Sequence, residues 1–154
     1  MGTRSTIALE FADGTVEQVY CHWDGYLEHN GQILFQYYSD PFKLRDLIDM
    51  GDMSSLGKVI GEAHPFSPHS SKEDEALYEH AKDQGYCTFY GRDRDETCPA
   101  RKFKDFEDYK ANHQYEEYEY ILRACGDKAV WFVADHNDNY VTLAEAFVAE
   151  EETA

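Results

Sequence analysis

The chain has 154 residues, 42% apolar and 15% aromatic, the size and composition of one globular domain with a sizeable core and no room for a second. Its 31 acidic against 14 basic residues give a formal charge of −17, so nucleic acid and anionic membranes would be repelled as direct partners. No run of about 18 apolar residues occurs and no secretory leader pattern precedes the first strand, which sets the expectation of a cytosolic protein.

In chain order, residues 4–11 alternate Thr6, Ala8 and Glu10 against Ile7, Leu9 and Phe11, the period of a half-buried strand. Asp13-Gly14 suits a two-residue turn into a return strand over 16–23. That register sets Phe11 by Val16 and Ile7 by Tyr20, and brings Glu10 beside Glu17, a destabilising like-charge pair. The strand runs out into Tyr20-Cys21-His22-Trp23-Asp24-Gly25-Tyr26, a loop that concentrates a thiol, an imidazole, an indole and a carboxylate.

Residues 32–38 are apolar and aromatic enough to start a helix. Asp40-Pro41 then gives an N-cap and a first-turn proline for a helix with Leu44, Leu47 and Ile48 on one face and Gly51 beyond its end. Residues 54–57 read as a short turn, and 63–72 as a surface loop. Ser71 can cap a helix over 72–83 with Glu73, Asp74 and Glu75 in its first turn. A short strand over 86–90 leads to a loop of alternating charge, 91–96.

Phe103, Phe106 and Tyr109 fit one helical face, and 115–122 favours a strand. Gly126-Asp127 turns that strand so that Leu122 lies by Trp131 and Ile121 by Phe132. Thr142-Leu143-Ala144-Glu145 is a capping box for a last helix with Leu143, Phe147 and Val148 inward. The expectation is therefore one α+β domain over 1–150. It holds an antiparallel sheet of about five strands from two hairpins and three or four helices on one side, with an acidic tail at 151–154.

Candidate chemistry is sparse. Cys21, His22, Asp24 and His29 are metal-ligand types, but neighbouring strand residues point to opposite faces, so no metal or cofactor is expected. Asp135-His136-Asn137-Asp138-Asn139 lacks the glycine and glutamate of a calcium loop. The four cysteines, Cys21, Cys87, Cys98 and Cys125, form no C-x-x-C pair and are expected as free thiols. H-E-x-x-H, G-x-S-x-G and glycine-rich phosphate loops are absent, so any enzyme would have to use His22, Trp23, Asp24, Tyr26, Arg92 and Asp93 without motif support.

The charge itself is spread, at −5, −5 and −7 over residues 1–50, 51–100 and 101–154. Duplex DNA carries one charge per about 1.7 Å of axis, so an excess near −17 matches roughly eight or nine base pairs. Tyr115, Tyr118 and Tyr120, interleaved with Glu116, Glu117 and Glu119, form the candidate contact patch, tyrosine supplying area and glutamate standing in for phosphate.

Thr3-Arg4-Ser5-Thr6-Ile7-Ala8, Tyr20-Cys21-His22-Trp23-Asp24-Gly25-Tyr26 with His29-Asn30-Gly31, Gly51-Asp52-Met53-Ser54-Ser55-Leu56-Gly57 and Cys87-Thr88-Phe89-Tyr90-Gly91-Arg92-Asp93-Arg94 together resemble a family of small acidic accessory proteins of tailed bacteriophages and prophages. The resemblance spans about the first two thirds of the chain and implies a phage origin, a host cytoplasm and no assigned catalytic residues. The expectation is a stoichiometric inhibitor of a host nucleic-acid-handling or defence enzyme, such as a restriction system or CRISPR effector, that fills its basic groove as a DNA mimic. The alternative is a small enzyme acting on a nucleotide or signalling molecule at the His22, Asp24 and Arg92 loop.

Overall fold

The computed structural model describes residues 3–134 and 139–153. Eight strands are described, β1 (Ser5–Glu10), β2 (Val16–Cys21), β3 (Met53–Ser55), β4 (Thr88–Phe89), β5 (Arg101–Phe103), β6 (Tyr118–Cys125), β7 (Lys128–Ala134) and β8 (Tyr140–Thr142). They form one sheet in the order β4-β3-β2-β1-β6-β7-β8, with β5 alongside the first half of β2. The helices are α1 (Gln32–Tyr37), α2 (Pro41–Asp49), α3 (Lys72–Asp83), α4 (Tyr90–Arg94), α5 (Phe106–Asn112) and α6 (Leu143–Thr153), and a π-helical turn spans Leu27–Gly31.

The α+β class is as expected, but the sheet is larger than five strands and mixed. β1 runs parallel to β6, and β2 parallel to β3, while the remaining pairs are antiparallel. Both faces are covered. Ile7, Leu9, Val19, Tyr120, Leu122 and Trp131 pack with Leu34, Leu44, Leu47, Ile48 and Leu143 of the helices on one side, whereas Ala8, Val16 and Ile121 pack with Phe103 and Tyr109 on the other. β1 is buried from Ser5 to Leu9, the pattern of a strand sandwiched on both sides. Thr6 and Ala8 looked solvent-facing in sequence because they are small or polar, and smallness is what lets the second layer approach.

The first hairpin is displaced by one residue from the expected register, pairing Ile7 with Val19 and Glu10 with Val16. The cause is the turn. Gly14 takes φ +92, its N–H donates to the Phe11 carbonyl at 2.9 Å, and the Phe11 N–H donates to Thr15 O at 2.8 Å, which makes the connection longer than two residues. Glu10 therefore does not face Glu17; its carboxylate accepts from Arg123 at 3.1 Å. The second hairpin has the expected register, with Leu122 opposite Trp131 and Ile121 opposite Phe132.

Helix boundaries follow their caps. Asp40 accepts from Phe42 N at 3.0 Å, Ser71 from Asp74 N at 3.0 Å, and Thr142 from Glu145 N at 3.2 Å. Three short segments differ from expectation: residues 53–55 form β3 where a turn was expected, 90–94 form α4 where a loop was expected, and Phe103 closes β5 and is not part of a helix with Phe106 and Tyr109. Helix α6 continues through Glu151 and Glu152, which sequence placed in a tail, and Val148 is exposed. Of the rejected calcium-loop segment 135–139, residues 135–138 lie outside the described residues.

Candidate functional site

The loop after β2 is a structural junction. The His22 and Trp23 N–H groups donate to Met53 O and Ser54 O at 3.1 and 3.0 Å, extending the contact with β3. Gly25 lies so close to β1 that an added Cβ would meet Ser5 Cβ at 2.7 Å and Thr3 O at 2.9 Å, and its carbonyl accepts from Tyr120 Oη at 2.6 Å. Buried Asn30 closes the loop from inside, donating to Ser5 Oγ at 3.2 Å and Trp23 O at 3.3 Å.

The candidate metal ligands separate accordingly. Cys21 is buried in the core, where burial pushes its thiol up to about 12, while the His22 ring is turned to Tyr20, with Nδ1 to Oη at 2.7 Å. His29 contacts Asn30 Oδ1 at 2.8 Å and lies tilted against Tyr26. Among the described residues no group of three or more histidines, cysteines and carboxylates is placed to hold a metal ion.

Arg92 and Asp93, the other half of the expected loop site, form a saturated knot. Asp93 is buried and accepts from Phe89 N at 2.8 Å, His64 N at 3.1 Å and Arg92 Nε at 3.0 Å. The remaining guanidinium N–H groups donate to the carbonyls of Ile60, Gly61 and Cys87 and to Asp93 Oδ2, at 3.0 to 3.2 Å. All five donors are engaged, leaving none for a substrate. No hydrogen bond or ion pair joins His22, Asp24 and Arg92 among the described residues.

The tyrosine and glutamate patch is split at the start of β6, where the chain passes from the surface into a sheet covered on both faces. Tyr115 and Glu117 are exposed and Glu116 and Tyr118 half-buried, but Glu119 and Tyr120 are 2% and 0% exposed and cannot contact a partner. Glu119 faces His113, with Oε2 3.6 Å from Nδ1, and that imidazole is packed between the rings of Tyr109 and Tyr115. Gln18 bonds the main chain of Gln114 in both directions at 3.2 and 3.3 Å, which holds this segment against β2.

Sequence reading missed what lies beneath Trp23. A cavity of about 490 Å³ opens between this turn, the residues after β3, and helix α3, with Trp23, Phe66, Tyr78 and Tyr86 as aromatic wall and Lys58 and Lys82 as cations. Lys82 Nζ donates to Ser55 Oγ at 2.8 Å and Thr88 Oγ1 at 3.3 Å, and desolvation holds its pKa below the ordinary lysine value. Thr88 Oγ1 in turn lies 3.0 Å from His64 Nε2. The Glu62 carbonyl, 2.8 Å from His64 Nδ1, can only accept, so in the neutral ring Nδ1 is the donor and Nε2 accepts the Thr88 hydroxyl proton. The Thr88 lone pairs are thereby turned to Lys82. Asp24, at φ +58, also lines this cavity, as does His29. A second cavity of about 520 Å³ lies at the opposite end of β1 and β2, mostly apolar, beside exposed Phe42.

Few of the described carboxylates are shown in an ion pair with lysine or arginine. Ion pairs with lysine or arginine among the described residues hold Glu10, Asp52, Asp93, Glu96 and Glu107. Helix α3 is the extreme case: it buries only Ala81, and Glu75, Glu79 and Asp83 are exposed at four-residue spacing along one side. No described helix is long and apolar enough to cross a membrane. Comparison with family models, curated proteins and solved structures returned no match.

Proposed function

We propose that the protein is a phage accessory factor that inhibits a host nucleic-acid-handling or defence enzyme by occupying its basic groove stoichiometrically. The observation that carries this reading is the row of exposed carboxylates on α3, Glu75, Glu79 and Asp83, in a chain of charge −17. Like charges at four-residue spacing cost an isolated helix about 0.2–0.5 kcal/mol per pair, and Asp83 sits at the end of α3 that the helix dipole disfavours for an acid, so although Glu75 suits the first turn, Glu79 and Asp83 call for a benefit elsewhere. A partner lined with lysine and arginine supplies that benefit by replacing repulsion with attraction and speeding encounter. With Glu119 and Tyr120 internal, the proposed contact surface is the exposed side of α3, and of the tyrosine and glutamate patch Tyr115 and Glu117 remain exposed.

The test is displacement of labelled duplex from restriction endonucleases, CRISPR effectors, nucleases and RNA polymerase of the host. Displacement at one equivalent, weakening steeply with salt and lost in Glu75→Lys with Glu79→Lys, supports the reading. Inhibition far below one equivalent, or an unimpaired reversed variant, refutes it.

A further inference from the structure

We propose that the cavity beneath Trp23 is a binding site for a small phosphorylated aromatic compound of nucleotide size, with its ring on the aromatic wall and its phosphate on Lys82. The volume of about 490 Å³ is within the roughly 300–1,000 Å³ typical of small-molecule sites. It combines the two features such a ligand needs, flat apolar faces from Trp23, Tyr78 and Tyr86 and an oriented cation.

The orientation of that cation is the decisive feature. An ammonium carries three N–H groups; two are held by Ser55 and Thr88, and the charge also lies 5.3 Å from the centroid of the Tyr78 ring, part of the aromatic wall. The third N–H has no hydrogen-bond acceptor among the described residues and is the one a ligand oxygen would take. Thr88 is itself fixed through His64 to the Glu62 carbonyl, so the donor is positioned by a chain of hydrogen bonds and not by a flexible stem alone. Close approach of Gly57 to Gly85, where an added Cβ would meet the Gly85 carbonyl at 2.2 Å, pins the residues after β3 to the end of α3 and so holds Ser55 and Lys82 together.

Charge argues the same way. In a chain of −17, Lys58 and Lys82 line one cavity. The rest of the protein repels a small anion only over distances that salt screens within roughly 8–10 Å, whereas direct contact with the Lys82 ammonium at the cavity mouth acts at hydrogen-bond distance. Asp24 across the cavity offers an acceptor for an amino or ribose hydroxyl group and disfavours a second phosphate there. The wall itself gives a reason for occupancy, since Trp23 is 42% exposed at its mouth.

The site is independent of the acidic exterior. Calorimetric titration of the full chain with adenosine and guanosine monophosphates, and with adenosine and inorganic phosphate as partial probes, tests it. A monophosphate is expected to bind one to one and about tenfold or more tighter than either partial probe, with quenching of Trp23 fluorescence. Lys82→Gln should weaken it about tenfold while Lys128→Gln, remote from the cavity, leaves it unchanged. Trp23→Leu, a change at the exposed rim, provides a second variant should Lys82→Gln disturb folding, and should weaken the monophosphate and adenosine together. Absence of saturable monophosphate binding at millimolar concentration overturns the proposal, as does binding indifferent to both substitutions. Equal affinity for inorganic phosphate and the monophosphate reduces it to an adventitious anion contact and likewise overturns it. Lys82→Gln leaves every surface carboxylate in place, so loss of duplex displacement and loss of nucleotide binding separate.

Discussion

Two polar clusters flank β4, one centred on Arg92 and one on Lys82, and they differ in a single respect that decides what each can do. Arg92 has every donor engaged and sits against a buried carboxylate, tying together residues 60–61, 87 and 93. Lys82 is open to a cavity and has two hydrogen-bond acceptors for three donors, with the Tyr78 ring 5.3 Å away. Residue type alone marks both as functional, while counting donors assigns the first to the scaffold and the second to a ligand.

The sharpest way to break this contrast is stability. Asp93→Ala should cost about 3–5 kcal/mol, because it strands the Arg92 guanidinium, whereas Lys82→Gln should fall within about 1 kcal/mol of wild type. Urea unfolding of both variants checks it; similar losses would erase the distinction.

The chain entering β6 offers a second contrast of comparable size. Glu119→Lys places a cation at a position 2% exposed and should destabilise by about 3 kcal/mol or more, while Glu117→Lys on the outside should remain within about 0.5 kcal/mol. Equal thermal midpoints for the two would place Glu119 at the surface after all.

The thiols give a kinetic version of the same comparison. Cys125 is exposed and should alkylate readily at pH 8, whereas Cys21, buried and pushed up to about 12, and Cys87, buried and also raised, should react only on unfolding. Peptide mapping after brief iodoacetamide treatment reads this directly.

The pH dependence of Lys82 is the smallest expected effect. Desolvation lowers its pKa in the folded state below 10.5, so between the lowered value and 10.5 the unfolded chain binds more protons and the Lys82 contribution to stability rises with pH. Nucleotide affinity should move the opposite way, falling as the ammonium is lost. A Lys82→Gln variant lacking both trends, measured by titration and denaturation across pH 8 to 10.5, supports the assignment; trends that persist in it assign them to another group.

What was legible in the sequence was local. Asp40-Pro41, Ser71 and the Thr142 box placed helix starts, and Gly126-Asp127 placed a hairpin with its register, because each signal acts within four residues. Thr6 and Ala8 hid the second face of the sheet, since burial there depends on Phe103 and Tyr109 about a hundred residues away. The Lys82 cluster was illegible for the same reason: Ser55, His64, Lys82 and Thr88 come from separate segments, and none stands in a motif. Arg92 and Asp93 drew attention as adjacent charges, yet only the carbonyls of Ile60, Gly61 and Cys87 reveal that they are saturated.

The most direct measurement for the inhibitor reading is the stoichiometry of duplex displacement from a host DNA-binding enzyme by wild type and by the Glu75→Lys, Glu79→Lys variant, at low and at physiological salt. Full displacement at one equivalent of wild type, loss in the variant and a steep fall with salt are expected. Displacement by the variant at the same equivalence, or inhibition by a small fraction of an equivalent, would contradict the account.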